Sequence, residues 1–264
     1  MQDLTPLERL AQVIAPGTQL LQAWPLAGGV SGQVTAFEVQ NADGSTERFV
    51  VCRHGARDLA REPEIAAHEF SVLKTVRAAG VRAPAPRYVD AAGEFFGTPC
   101  IVLEFVDGAS DEAPDDQRLV DELANELAAI HRVDIDGLSF LRRLEQADTP
   151  VLLHGDFWPG NALWKDGRLV AIVDWEDAAI GDPLADVANA RLELLWARGA
   201  EAMHTFTRRY AALTGVDLAH LPRWDLWADR RLTARISEWG LDDATQSDML
   251  AKRETFVAQA RAAS

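Results

Sequence analysis

The sequence predicts an α+β chain of two lobes: an antiparallel-sheet lobe with one main helix over residues 1–105, and a mostly helical lobe over residues 106–264. Three observations lead there. From Trp24 to Val51 the apolar residues fall in short, β-rich runs bounded by turn residues, and after a helical stretch more strand ends in Cys100 to Val106. Beyond Asp116 they recur at helical spacing, apart from a β-rich patch from Val151 to Asp174. At 264 residues and 48% hydrophobic content, there is enough apolar material for one large domain or two small ones.

The elements follow in order. Thr5, Pro6 and Glu8 supply a cap, a first-turn proline and a capping-box acid, and Leu7, Leu10, Ala11 and Ile14 continue at helical spacing until Pro16-Gly17 stops them. Val34 to Val39 and Arg48 to Arg53 read as strands joined by a turn at Asn41 to Gly44. Arg61 to Ala79 is helical, Gly80 to Pro86 is a stop, and Cys100 to Val106 is a further strand. Gly108 to Asp116 is a polar linker, after which Leu119, Leu123, Leu127 and Ile130 mark a long helix. There is no internal repeat.

Composition excludes several classes of partner. A net charge of −15 and a pI near 4.8 repel nucleic-acid phosphates and anionic membrane surfaces. No apolar run approaches the roughly 20 residues of a membrane helix, and no basic-then-apolar leader opens the chain, so a cytoplasmic protein is expected. Cys52 and Cys100 each sit in an apolar run and read as small buried hydrophobes, not as a disulfide or a metal site.

The chemistry concentrates in Leu152-Leu153-His154-Gly155-Asp156-Phe157-Trp158-Pro159-Gly160-Asn161 and in Ile172-Val173-Asp174-Trp175-Glu176. An apolar strand runs into a loop offering a carboxylate and an amide. A hairpin turned at Asp166-Gly167 then brings back a second carboxylate. Phosphoryl transfer needs this set: one carboxylate to orient the attacking hydroxyl and take its proton, and hard oxygens for Mg²⁺. Asp156 suits the first role, and Asn161 and Asp174 the second.

His-Gly-Asp-x-x-x-x-Asn, Asp-Trp-Glu, Gly181-Asp182-Pro183 and Asp186 together resemble the aminoglycoside phosphotransferase and choline kinase family, strongest from Leu152 to Asp186 and fainter from Gly28 to Gly108. The resemblance implies a protein-kinase-like fold, with ATP and Mg²⁺ in a cleft between the lobes and a small-molecule hydroxyl as acceptor. It makes Asp156 the catalytic base and Asn161 and Asp174 the metal ligands. It gives His154 a structural hydrogen bond at the head of the loop, and Asp186 the role of bracing that loop. Asp182 reads as a helix cap, and His131 as a packing histidine. Glu176 is either a solvated acid or a water-mediated metal contact.

In the first lobe, Gly28 to Gly32, with Gly29, Ser31 and Gly32 foremost, is a hairpin loop able to face phosphates with its N–H groups. Phe49, Val51 and Arg53 share a strand face, and Glu69 lies on the apolar stripe of Ile65, Leu73 and Val76, where a carboxylate needs a cation. Arg53 and Glu69 are therefore expected partners, and the resemblance assigns them the phosphate-positioning cation, usually Lys, and its acid. The backbones of Glu104 and Val106 are the candidates for adenine. Glu193, Glu201, Asp225, Asp229, Glu238, Asp242 and Asp243 form a possible acidic rim for a cationic acceptor. The tryptophans of the second lobe read mainly as core, with Trp196, Trp224 or Trp227 as alternatives for lining a pocket. Against the kinase reading stands a nucleotide-binding pseudokinase acting as a sensor or interaction module. The short distance from Asp174 to Asp186 leaves no long activation loop, which disfavours protein substrates.

Overall fold

The computed structural model describes residues 5–26, 32–144, 147–233, 236 and 239–263. Two compact units result: Met1–Arg77 with Ala83–Val106, and Ala78–Arg82 with Asp107–Ser264.

The first unit opens with α1 (Pro6–Ile14), whose capping box is complete: Thr5 Oγ1 accepts from the Glu8 N–H, and the Thr5 N–H donates to Glu8 Oε2 at 2.7 Å. A five-stranded antiparallel sheet follows, made of β1 (Gln19–Pro25), β2 (Gly32–Gln40), β3 (Thr46–His54), β4 (Pro86–Asp90) and β5 (Cys100–Glu104), in the order β1-β2-β3-β5-β4. Between β3 and β4 lie α2 (Ala56–Arg61) and α3 (Ile65–Ala78). The helix expected from Arg61 to Ala79 begins only at Ile65, beyond Pro63, which a helix interior does not accommodate, and the short α2 before it was not expected. Phe37, Val39, Phe49, Val51, Cys100 and Val102 pack with Leu10 and Ala11 of α1, so odd-numbered positions of β2 and β3 face that cluster.

The second unit begins its helices with α4 (Asp116–Ile130), capped by the Asp115 side chain on the Arg118 N–H. Then β6 (Val151–Leu153) pairs antiparallel with β9 (Ala179–Gly181), and between them β7 (Ala162–Lys165) and β8 (Arg168–Ile172) form a hairpin. Asp166 and Gly167 at its turn both have positive φ, 49° and 66°, which a two-residue hairpin whose twist matches its strands requires. The remaining elements are α5 (Leu184–Arg198), α6 (Ala200–Thr214), α7 (Leu221–Thr233) and α8 (Asp243–Ala262). Trp164, Trp175, Trp196 and Trp224 are buried, as core tryptophans. Three of the acids expected at the rim have structural roles: Asp225 holds buried Arg191 at 2.9 Å, Asp229 holds Arg253 at 2.5 Å, and Asp242 caps α8. Glu238 lies outside the described residues.

Candidate active site

The β6–β9 pair fixes where the 154–161 loop starts. His154 is fully buried, and its two ring nitrogens have opposite partners. The Asp156 N–H donates to Nδ1 at 3.2 Å, while Nε2 meets the Val173 carbonyl at 3.0 Å. An N–H can only donate and a carbonyl can only accept, so Nδ1 is bare and the proton is on Nε2. Burial pushes the imidazole pKa down, which keeps it neutral. With both nitrogens occupied, the ring is a spacer, its centroid 4.6 Å from that of Trp175 with the two planes tilted by 55°. The structural role expected for His154 is the one it fills.

Asp186, in the first turn of α5, is 1% exposed and accepts three hydrogen bonds: from the His154 N–H at 2.7 Å, the Gly155 N–H at 2.9 Å and His131 Nε2 at 3.2 Å. Burial alone would raise its pKa, but the bonds from His131 and the loop outweigh it and hold the carboxyl below its ordinary value. His131 does more than pack, since its Nδ1 also meets the Tyr210 hydroxyl at 2.5 Å. Asp182 caps the Leu184 N–H at 2.9 Å and accepts from Trp224 Nε1 at 3.1 Å. At Gly155, φ is +84° and an added Cβ would fall 2.1 Å from the Asp177 carbonyl oxygen. Only glycine lets the loop approach the 173–178 segment so closely.

The loop so held presents Asp156 with a partly exposed carboxylate. Its Oδ2 receives Asn161 Nδ2 at 3.3 Å and its Oδ1 receives Arg231 Nη1 at 3.4 Å. Burial raises its pKa, with the Arg231 guanidinium opposing and Asp177 adding to the rise. A carboxylate made more basic in this way suits proton acceptance. Asn161 also donates to the Asp156 carbonyl at 2.9 Å, which commits its Nδ2 and leaves Oδ1 as its acceptor. The Val173 N–H bonds to the Asn161 carbonyl at 2.9 Å, so Asp174 follows directly after the residue paired with Asn161. Asp174 is exposed and left-handed, with φ 68°, a conformation that Asp adopts more readily than most side chains. One amide oxygen and one carboxylate are what a Mg²⁺ ion takes from protein when phosphates and waters complete its shell, so this donor set fits the ion. Among the described residues no group of three or more His, Cys, Asp or Glu gathers into a metal cage.

In the first unit the expected partnership is corrected. Arg53 does share the face of Phe49 and Val51, but that face packs on α1 and the 95–96 turn. The Arg53 guanidinium accordingly donates to Gln33, its cross-strand neighbour, and lies 4.9 Å from the Phe96 ring. His54, one residue on and therefore on the opposite face, meets Glu69 instead, with Nε2 3.2 Å from Oε2 and both side chains buried. The period-two rule that placed Arg53 correctly also turns it away from α3. The Glu104 N–H is committed to the Ala85 carbonyl at 2.8 Å and its side chain to Arg77 at 3.0 Å, which leaves only its carbonyl for an adenine. Val106 has no backbone hydrogen bond among the described residues. Gly32 opens β2 where a Cβ would fall 2.4 Å from the Arg53 carbonyl oxygen. Gly29 and Ser31 lie outside the described residues.

Comparison with known proteins decides what this arrangement belongs to. The model of the phosphotransferase enzyme family matches residues 23–150 and 140–227. The chain belongs to that family. Hygromycin-B 4-O-kinase of Escherichia coli is 33% identical over 97 residues, 36% of this chain and 25% of that protein. Acyl-CoA dehydrogenase family member 11 of Rattus norvegicus is 30% identical over 105 residues, 33% of this chain and 13% of that protein. The aligned stretches are therefore a quarter or less of these relatives. The structure of a thermostable mutant of the aminoglycoside phosphotransferase APH(4)-Ia, in complex with AMP-PNP and hygromycin B, superposes with a TM-score of 0.65 at 14% identity, over 98% of this chain and all of that one (100%). This shows the fold, protein-kinase-like as the family resemblance implies.

Sequence reasoning missed Arg231 and Asn189 as members of the site, and named Glu193 only as part of an acidic rim for the acceptor. Arg231, Asn189 and Glu193 gather around Asp156 from α7 and α5, and burial with the nearby Asp156 charge pushes the Glu193 carboxyl up to about 8. Arg231 follows Arg230 near a helix end, where cations ordinarily face solvent, so no local signal separates it.

Proposed function

We propose that the protein moves the γ-phosphoryl group of ATP to a hydroxyl of a small molecule. What carries the reading is the joint presentation of the Asp156 carboxylate and the Asn161 and Asp174 oxygens by one short, braced segment. Asp156 orients the acceptor hydroxyl and takes its proton as the new O–P bond forms and the bond to the β-phosphate oxygen breaks, giving ADP and a phosphate ester. Asn161 and Asp174 would hold Mg²⁺, which when bound neutralises charge on the phosphate oxygens. Gly29, Ser31, Gly32 and Arg53 contact phosphates, and the Glu104 carbonyl and Val106 backbone contact adenine. Glu69 serves His54 and supports this end of β3. Because all three transfer residues are present, the pseudokinase alternative has no observation in its favour. The test is ATP turnover against hygromycin B, viomycin, erythromycin, choline, homoserine and glucose, with the acceptor-free rate as baseline. Stimulation by at least one acceptor supports the reading, and a flat panel with Mg·ATP bound opposes it.

A further inference from the structure

The Arg231 guanidinium reaches three oxygens on three separate segments. Nη1 donates to Asn189 Oδ1 of α5 at 2.6 Å and to Asp156 Oδ1 at 3.4 Å, and Nη2 donates to Asp177 Oδ2 at 3.1 Å. Trp227, one turn earlier on α7, lies 5.9 Å from the guanidinium carbon. The anchors are themselves tied to the loop: Asn189 Nδ2 donates to the Phe157 carbonyl at 3.2 Å, and the Asp177 carbonyl lies against Gly155.

A carboxylate on a loop is otherwise free to spin about its last bond, since that torsion is broad. Here each oxygen of Asp156 has its own donor, Arg231 on Oδ1 and Asn161 on Oδ2, and the two donors come from different elements. The guanidinium is a rigid planar fork, so fixing it at Asn189 and Asp177 also fixes where its third contact points. At 24% exposure the Arg231 side chain is far from a freely solvated cation. The 3.4 Å contact to Asp156 is the longest of the three, which orients the carboxylate without using up its capacity to accept a proton.

We propose that Arg231 is a positioning residue for the transfer step, its fork setting the plane of the Asp156 carboxylate toward the acceptor hydroxyl. This rests on the reading of Asp156 as the base. A residue that only stapled α7 to its neighbours would change the melting temperature and leave kcat of the folded enzyme alone.

The experiment compares Arg231→Met, Arg231→Lys, Asp156→Asn and the Arg231→Met/Asp156→Asn double variant. Each is assayed with Mg·ATP and the fastest acceptor of the panel above, and its melting temperature is recorded. Misplacing a reacting group by an ångström is worth about 10²-fold. Arg231→Met should therefore lose about 10- to 100-fold in kcat while KM for Mg·ATP stays within about threefold, with Arg231→Lys in between. In the Asp156→Asn background the same change should cost little more, because the group it positions is already gone. The inference is overturned if kcat of Arg231→Met stays within twofold of wild type, or if its loss adds in full to that of Asp156→Asn. Should Arg231→Met fail to fold, Arg231→Lys alone and with Asp156→Asn carries the same two comparisons. A wild-type kcat in Asp156→Asn removes the base assignment itself. A slow Asp156→Asn beside a fast Arg231→Met removes only the role of Arg231.

Discussion

His154 and Asp156 stand two residues apart and handle protons in opposite ways. The imidazole has each nitrogen engaged by the backbone and cannot exchange its proton without breaking the loop, whereas the carboxylate is partly open and made more basic by burial. Glu193, near Asp156, is another acid whose environment favours the proton, up to about 8. Its folded-state pKa is raised, so the folded protein holds a proton that the unfolded chain releases above about 4.5, and stability falls as pH climbs from there to 8. Glu193→Gln should accordingly stabilise by about 1–3 kcal/mol at pH 8.5 and by almost nothing at pH 4.5, read as a change in melting temperature. The His54–Glu69 contact makes a separate prediction. In a double-mutant cycle on stability, His54→Ala and Glu69→Ala should couple by about 1 kcal/mol or more, while Arg53→Ala and Glu69→Ala should add within about 0.5 kcal/mol. Coupling of Glu69 to Arg53 instead would restore the pairing that strand periodicity suggested.

At the scale of elements, the site depends on α5 more than on the strands that lead into it. Asp186 offers one carboxylate to two consecutive loop N–H groups and a histidine, all buried. Asp186→Ala strands those donors, and removing one partner from such a buried network typically costs about 3–5 kcal/mol. The expected readout is a melting temperature lower by roughly 5 °C or more, with kcat reduced as well. An unchanged melting point would mean that the loop finds other acceptors. Local signals made these elements legible: the Thr5 capping box, the Asp166-Gly167 turn and the motif from His154 to Asn161 each act within a few residues. The register of long-range partners was not legible. Which face of β3 receives α3 depends on packing, and a one-residue offset exchanged Arg53 for His54. Arg231 reaches Asp156 across 75 positions, a separation for which sequence spacing has no rule.

For the whole molecule, the change in apolar period near residue 106 suggests a sheet unit and a helical unit, and the second of the two compact units takes in Ala78–Arg82 as well as Asp107–Ser264, an excursion that no local pattern marks. No helix among the described residues is long and apolar enough to cross a membrane. Two of the acidic residues expected at an acceptor rim, Asp225 and Asp229, pair with arginines, whereas Glu193 stands near Asp156. Nucleotide binding should depend on the metal. ATP with Mg²⁺ should raise the melting temperature more than ATP with EDTA, and Asp174→Ala should erase most of that difference. The most direct measurement of the account is kcat of Asp156→Asn on an active acceptor, beside its Kd for Mg·ATP. The substitution keeps the shape and removes the charge, so kcat should fall by about 10²- to 10⁴-fold while Kd changes less than about tenfold. A kcat near wild type would contradict it and leave another group as the base.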